Sequence, residues 1–373
     1  MKRKNKVISF VFCLSVFLML VSCQKQKAEW KGQIKTEDGI TVLENPKTPM
    51  YEQPVLTLSE DLRIGEEEDR PEYLFFKISS IAVDGEENIY VSDEGEKHIK
   101  VFNRKGEHLR TIGRPGQGPG EIGRPSEIFI TINNELRVVD PSRRELHSFS
   151  NEGRYLGSKK FNTVYPMNIA RNSKGDYYVM NFVREPGSMS GGFDLLKLNS
   201  NLEVVSTLVK VAISPQTKRE EFDQIPEFGV RRDDCLIFGY ASDYTFKILS
   251  PEGEVMRIIR KKYDLIPIPD EVKKMEQERN PQSTFEWPKY YRPFFDFFPD
   301  DNGRLFVLTP GDKVAESIYN FDVFDSEGKF LCKMPIKLMS PFVMTLTGGK
   351  LYAVDEDSEG NPFVRRYKIT WNY

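Results

Sequence analysis

The sequence is poor in the residues most often used for catalysis and metal binding. Among 373 residues it has three His and four Cys. Four cysteines are too few for a disulfide scaffold, and no cysteine cluster or helical histidine pair offers zinc-ligand spacing. The histidines, His98, His108 and His147, are scattered over two outer-strand regions. An excess of one charge is also missing. Lys plus Arg is 53 and Asp plus Glu is 56, a formal net charge of −3, so the basic surface required of a nucleic-acid partner is absent. Aromatic residues make up 12% of the chain, which excludes the aromatic-poor composition of disordered proteins. At ~150 residues per domain the length suggests two or three domains, although all-β repeat folds run longer as single units.

What is present begins at the N-terminus. Lys2, Arg3, Lys4 and Lys6 precede an apolar run from Val7 to Val21, interrupted by Ser9, Cys13 and Ser15. This is the charged head and apolar centre of a secretory signal, and it falls short of the ~20 residues a spanning helix needs. It ends in Leu20-Val21-Ser22-Cys23, which resembles a bacterial lipobox. That resemblance implies a signal peptide over residues 1–22, lipidation of Cys23, export, and anchoring in the cell envelope. Gln24 stands where Asp commonly signals inner-membrane retention, which points to the outer membrane of a Gram-negative bacterium. Processing removes four positive charges and no acid, so the formal charge moves from −3 to −7. Residues 23–50 carry the lipidated Cys and a polar segment with Pro46 and Pro49, expected to be a flexible tether.

Residues 51–373 are dominated by one repeat. The segment from Val101 to Leu109, with Gly106 in its turn, matches Ser148–Leu156, Ile248–Met256 and Val323–Leu331; a weaker copy, Lys197–Val205, places Asn201 in the glycine slot. Each copy is an apolar strand, a polar turn that tolerates positive φ, and a second apolar strand. A β-rich run precedes each hairpin, as in Asn88–Asp93, Glu135–Asp140 and Lys350–Asp355. Before that run comes a third element. Five of six copies open near a proline, at Pro125, Pro166, Pro226, Pro293 and Pro341, and proline suits a first strand position. The period is near the ~40–50 residues of a propeller blade, with insertions. The last unit lacks an outer strand, and Pro54–Leu58 lies before the first. The expected fold is therefore all-β: a six-bladed β-propeller with four-stranded antiparallel blades, its ring closed by an N-terminal strand. Cys235 and Cys332 then fall in different strands of neighbouring blades, too far apart to pair.

From Pro54 to the C-terminus the chain resembles the six-bladed β-propeller lipoproteins related to NHL-repeat proteins. The motifs that carry this are Ile78–Asp84 leading into Asn88–Asp93, then Gly113–Glu121 ending at Pro125. The resemblance implies a fold and a cellular address more than an activity.

Candidate sites are few. The glycines from Gly113 to Gly120 lack the Lys-Ser or Lys-Thr of a phosphate loop and are expected to shape a turn between blades. The insertion 264–290 holds strong helix formers from Glu271 to Glu278, and a shorter loop runs from Glu185 to Gly192. Eight aromatics crowd residues 285–298. Phe294, Phe295, Phe297 and Phe298 are assigned to the core. Phe285, Trp287, Tyr290 and Tyr291 either line the channel mouth or anchor the insertion to its blade. The residues beside the strand-start prolines, Arg124, Tyr165, Arg292 and Ser340, are expected to ring one channel opening. Candidate ligand-binding residues are thus Arg124, Tyr165, Trp287, Tyr290, Tyr291 and Arg292, and the ligand is expected to be anionic or glycan-like. No catalytic residue, metal ligand or cofactor is assigned. The functional expectation is a non-catalytic module, held to the membrane by its lipid, that binds an envelope protein, peptide or glycan. The alternative is a propeller enzyme of the lactonase or lyase type with a divalent metal such as Ca²⁺ at the mouth. Its oxygen donors would come from Asp84, Asp93, Asp140, Asp355 and Glu127.

Overall fold

The computed structural model describes residues 28–372, except 66–68, 163, 167, 185–190, 214–225, 242, 280–287, 314–316 and 340–341. The signal segment, Cys23, most of the Glu185–Gly192 loop, Phe285, Trp287 and Ser340 lie outside the described residues. Six sheets, each with a core of four antiparallel strands, are arranged one after another along the chain. Their innermost strands are Ile78–Val83, Glu127–Ile130, Asn168–Arg171, Glu227–Val230, Asp296–Pro299 and Met344–Thr347. In blades one to five each sheet continues outward through three consecutive strands. The expected β-propeller is present.

Packing explains the ring. The hydrophobic residues form six clusters, and each cluster draws from two neighbouring blades. The second strand of blade one, Ile89–Asp93, is buried along its whole length. Ile89 and Val91 face blade six and Tyr90 faces blade two, because successive strand residues point to opposite faces. A sheet buried on both faces needs a neighbour on both sides, so the circle has to close. Closure uses the strand Leu56–Ile64, which pairs antiparallel with Pro362–Trp371 from Ile64 opposite Val364 to Leu56 opposite Trp371. Arg366 Nε donates to Asp61 Oδ1 at 2.8 Å across this seam.

The repeated turns use one device. In blade one Asn103 Oδ1 accepts from the Lys105 and Glu107 backbone N–H groups, and Gly106 takes a φ of +83°. In blade three Asn199 plays the part of Asn103, and the left-handed residue is Leu202 at +65°, not Asn201 as expected. A left-handed φ costs a non-glycine residue roughly 1–2 kcal/mol. The Leu202 side chain is buried among Phe161 and Val164 in the core between blades two and three, which offsets that cost. The Gly113–Gly120 segment is a turn, with Gly113, Gly116 and Gly120 at positive φ and Glu121 accepting from the Gln117 and Gly118 N–H groups. The insertion contains the helix Asp270–Arg279. Cys235 and Cys332 are both free thiols.

The N-terminal segment departs from the tether expected up to Met50. Gln33–Glu37 and Ile40–Asn45 form a hairpin, and Ile40–Asn45 pairs parallel with Val255–Lys261, so blade four has six strands. Arg260 fixes the hairpin with a two-pronged bond to Glu37 at 2.9 Å. The segment then crosses to blade five, where Met50 and Tyr51 N–H groups donate to the Phe330 and Leu331 carbonyls. Asn45 is the fastening point and is 1% exposed. Its Oδ1 accepts from Trp30 Nε1 and the Phe330 N–H, both at 2.8 Å. Its Nδ2 donates to the carbonyls of Gly328 at 2.9 Å and Arg260 at 3.2 Å. The polar composition of this stretch hid the hairpin, because its strands gain most of their order from the edge of blade four.

Asn45→Ala strands the buried Phe330 N–H and Gly328 carbonyl together. The expected loss is about 2–4 kcal/mol in unfolding free energy, read from urea denaturation. An unchanged midpoint would show that the hairpin does not bind the blades.

Candidate functional site

The inner strands enclose a cavity of about 950 Å³ on the ring axis, lined by residues of all six blades. An inner strand is a sheet edge, so every second N–H along it points into the channel without a strand partner. Polar side chains answer some of these groups. Ser80 Oγ of blade one accepts from the Ile128 N–H of blade two at 3.2 Å. Glu127 Oε2 of blade two accepts from the Ile169 N–H of blade three at 3.0 Å. The series continues at one level around the axis. Glu127, Asn168, Glu227 and Asp296 are the first residues of four successive inner strands, and all four line the cavity. Asn168 Nδ2 approaches Glu227 Oε2 at 3.5 Å, and Asp296 Oδ1 accepts from its neighbour's N–H, that of Phe297, at 2.7 Å.

Three carboxyl groups at one level of a narrow channel perturb one another. Burial pushes the Glu127 carboxyl up to about 7, against the pull of the Ile169 N–H, and Asp296 adds to the rise. Burial likewise raises Glu227, with the Asp296 charge adding to it while Arg292 and Asn168 oppose it. Burial raises Asp296 against the Phe297 N–H and the Arg292 guanidinium. Near neutral pH the group therefore holds protons that carboxylic acids in water would have lost. Such carboxyls can accept a cation by releasing protons, donate hydrogen bonds, or act as acids. Perturbed carboxyls converging on a cavity are the usual mark of a functional site.

The candidates from sequence fall mostly outside this cavity. Arg124 Nε is paired with Glu94 at 3.0 Å. Tyr165 is exposed, and its N–H donates to Asn181 Oδ1. Tyr290 forms a β-bridge with Pro267 at the base of the insertion. Tyr291 is buried against Phe295, ring centroids 5.8 Å apart, so it fastens the insertion to the core. Arg292 comes nearest to the expected role. It donates to the Phe295 carbonyl at 2.7 Å and its charge acts on Glu227 and Asp296, although it does not line the cavity. Both arginines expected to draw an anion are thus faced by carboxylates.

The aspartates weighed as metal ligands are engaged elsewhere. Asp93 accepts from the N–H groups of Phe76, Lys77, Gly95 and Glu96. Asp140 accepts from Gly123 N–H and Ser142 Oγ, each at 2.6 Å. Asp355 accepts from Met339 N–H at 2.6 Å and pairs with Arg365 at 2.8 Å. These three hold equivalent places in blades one, two and six, each tying down the segment that enters its own inner strand. Asp84 caps its turn through the Glu86 and Asn88 N–H groups. Among the described residues, no three His, Cys, Asp or Glu side chains converge to hold a metal ion. Asn168, Glu227 and Asp296 went unrecognised. Their signal was a polar residue within three positions of a strand-start proline, where an inner strand is otherwise apolar.

This architecture defines a six-bladed β-propeller with a polar channel mouth. The chain belongs to the DUF5128 family, described as a 6-bladed beta-propeller, which matches residues 68–278. No curated protein matches it in sequence. Among solved structures it is similar to a Bacteroides fragilis protein described by inference as exported, at 12% identity and a TM-score of 0.57 over 88% of this chain and 99% of that one. It is also similar to a DUF4221 family member from Bacteroides vulgatus, at 11% identity and a TM-score of 0.55 over 86% and 100% of the two chains. At these identities the likeness is one of fold.

Glu127→Gln should stabilise the protein in neutral and alkaline solution. The unfolded carboxyl ionises near its usual value and the folded one near 7, so stability is highest below the unfolded value and falls as pH rises towards 7. Gln keeps an acceptor for the Ile169 N–H and carries no charge. The expected gain at pH 8 is up to about 3 kcal/mol, vanishing near pH 4. Thermal melts across that range would reveal it; a gain independent of pH would refute the assignment.

Proposed function

We propose that the protein is an exported envelope lipoprotein, lipidated at Cys23, whose NHL-like propeller binds a ligand non-covalently at the strand-start mouth of its channel. The observation that carries the binding role is the placement of Glu127, Asn168, Glu227 and Asp296 at one level of a single cavity. A fold that needed the channel merely filled would place apolar side chains there, since burying carboxyls costs stability. Export is supported by the charged and apolar N-terminus and by the exported description of the B. fragilis protein of the same fold. The lipid brings the membrane as one partner. The other is an envelope protein, peptide or glycan that enters the channel mouth. Blade three lends this mouth a wall, because its second and third strands stay paired past the Asn168 level as far as Arg184 opposite Gly191.

The raised carboxyls also favour a second reading, a propeller enzyme of the lactonase or lyase type. A carboxyl that keeps its proton near pH 7 is poised as a general acid.

Two experiments test the proposal. Cys23→Ser should move the protein from the membrane pellet to the soluble envelope fraction and abolish fatty-acid labelling; continued membrane retention would refute lipid anchoring at Cys23. Immobilised protein should retain an envelope component that the Glu227→Gln/Asp296→Asn double variant loses, at equal thermal stability or better. Identical retention by both would remove the channel mouth from the binding function.

A further inference from the structure

The proposed binding role leaves the ligand class open, and two independent features of the strand-start face narrow it. The first is the unequal charge in the channel. Glu127, Glu227 and Asp296 are partly buried side chains that face the channel. Arg292 is the one cation acting on Glu227 and Asp296 among the described residues, and it is partly committed to the Phe295 carbonyl. Among the described residues no donor reaches Glu227 Oε1 or Asp296 Oδ2, and both side chains line the cavity. Carboxyl oxygens that face a cavity with no protein donor opposite them can take an incoming donor without giving up an existing partner.

The second feature is apolar. Large hydrophobic side chains stand exposed on the same face. Phe76, Tyr165 and Phe342 lie two or three residues before the inner strands of blades one, three and six, and Phe182 lies just past the channel level in blade three. Phe76 is 74% exposed and Phe342 is 55% exposed, and Phe342 also lines the cavity. A soluble protein gains nothing by exposing phenylalanines around a polar opening, and such a patch with a polar centre marks a contact surface. A bare metal ion would leave it unused, and no three acidic or histidine side chains among the described residues converge to hold one.

We propose that the channel mouth receives the ammonium or guanidinium group of a basic residue in a peptide or protein, with apolar residues beside it resting on Phe76, Tyr165, Phe182 and Phe342. The cation takes the donor places facing Glu227 and Asp296, with Glu127 facing the same cavity from blade two. The charged groups nearest it are Glu127, Glu227 and Asp296 at the starts of three inner strands and Arg292 on the segment entering the strand of Asp296; Arg171, Arg231, Arg232, Asp234, Asp300 and Asp301 line the same cavity at or beyond the other ends of the inner strands. Since these carboxyls hold protons near neutrality, binding releases about one proton, and affinity increases with pH while lysine stays charged.

This inference rests on the binding role proposed above and is tested apart from it. The exported Cys23→Ser chain, free of detergent, is titrated calorimetrically with three capped tripeptides, Phe-Lys-Phe, Phe-norleucine-Phe and Phe-Glu-Phe. The lysine peptide should bind about tenfold or more tightly than the norleucine peptide. Its affinity should rise about tenfold or more from pH 5.5 to 8, with heats that differ between phosphate and Tris buffers in the sense of proton release. The Glu227→Gln/Asp296→Asn double variant should lose the preference for lysine, binding the lysine and norleucine peptides with equal affinity. Equal or tighter binding of the norleucine or glutamate peptide overturns the proposal. So does failure of the lysine peptide to bind at millimolar concentration, or saturation of the site by calcium chloride or maltotetraose in its place. If the lysine peptide fails while wild-type protein still captures a component that the double variant loses, the ligand class is wrong and the binding role stands. If capture is also unchanged, both fall.

Discussion

Every blade of this protein is buried on both faces, and the rest of the structure depends on that constraint. Val91 and Tyr90 are consecutive residues of one strand, yet they belong to cores on opposite sides of their sheet. No blade can stand alone, because each of its cores is half made by a neighbour. The chain must return to its beginning, and it does so by giving blade six an outer strand from Leu56–Ile64. Closing the circle turns six strand edges towards one axis. Those edges carry N–H groups that no strand can pair, and Ser80 and Glu127 each reach across to the next blade to satisfy one. The polar level of the channel thus follows from ring closure, and the candidate site is an elaboration of that level.

The elaboration works against stability. Ser80 satisfies its N–H without charge. Glu127 does the same task with a carboxyl whose ionisation is disfavoured by burial. Glu227 and Asp296 add charge without a comparable structural duty, since Asp296 bonds its own neighbour and Glu227 meets only Asn168 at a long distance. Three carboxyls in place of three serines cost folding free energy at neutral pH. The aspartates at the ends of the second strands are the contrast. In Asp140 burial is outweighed by the His147 ring 3.6 Å away and by hydrogen bonds from Ser142 and the Gly123 N–H, and its carboxyl falls to about 2. One set of acids is tied into loops and the other is held open to the channel.

The sequence reading was most accurate where local chemistry and periodicity agree. The turn pattern around Gly106 and its copies, the prolines before the inner strands and the spare strand near Leu56 were legible because each is a short-range requirement repeated along the chain. The same approach misplaced the left-handed residue of blade three. Asn201 is the residue type that tolerates positive φ, but Leu202 adopts it, because a core formed by distant residues holds its side chain. It also took Gln33–Asn45 for a tether, since a polar hairpin gains its order from the edge of blade four some two hundred residues later. Among site residues it chose arginines and aromatics close to the strand starts. Tyr291 proved to be a core anchor, and Arg292 acts on the mouth from behind the acids it faces.

By itself the sequence determined the number of blades, the four strands common to each and the means of closing the ring. Those features are written in hydrophobic alternation and turn residues, which act over a few positions. Tertiary structure alone decided which acids matter. Glu127, Glu227 and Asp296 lie far apart in the chain, and the prolines just before them mark strand starts without showing that the three acids share one cavity. Their difference from Asp93, Asp140 and Asp355 arises when six edges meet at an axis, where burial and mutual repulsion raise one set of carboxyls and loop N–H groups occupy the other.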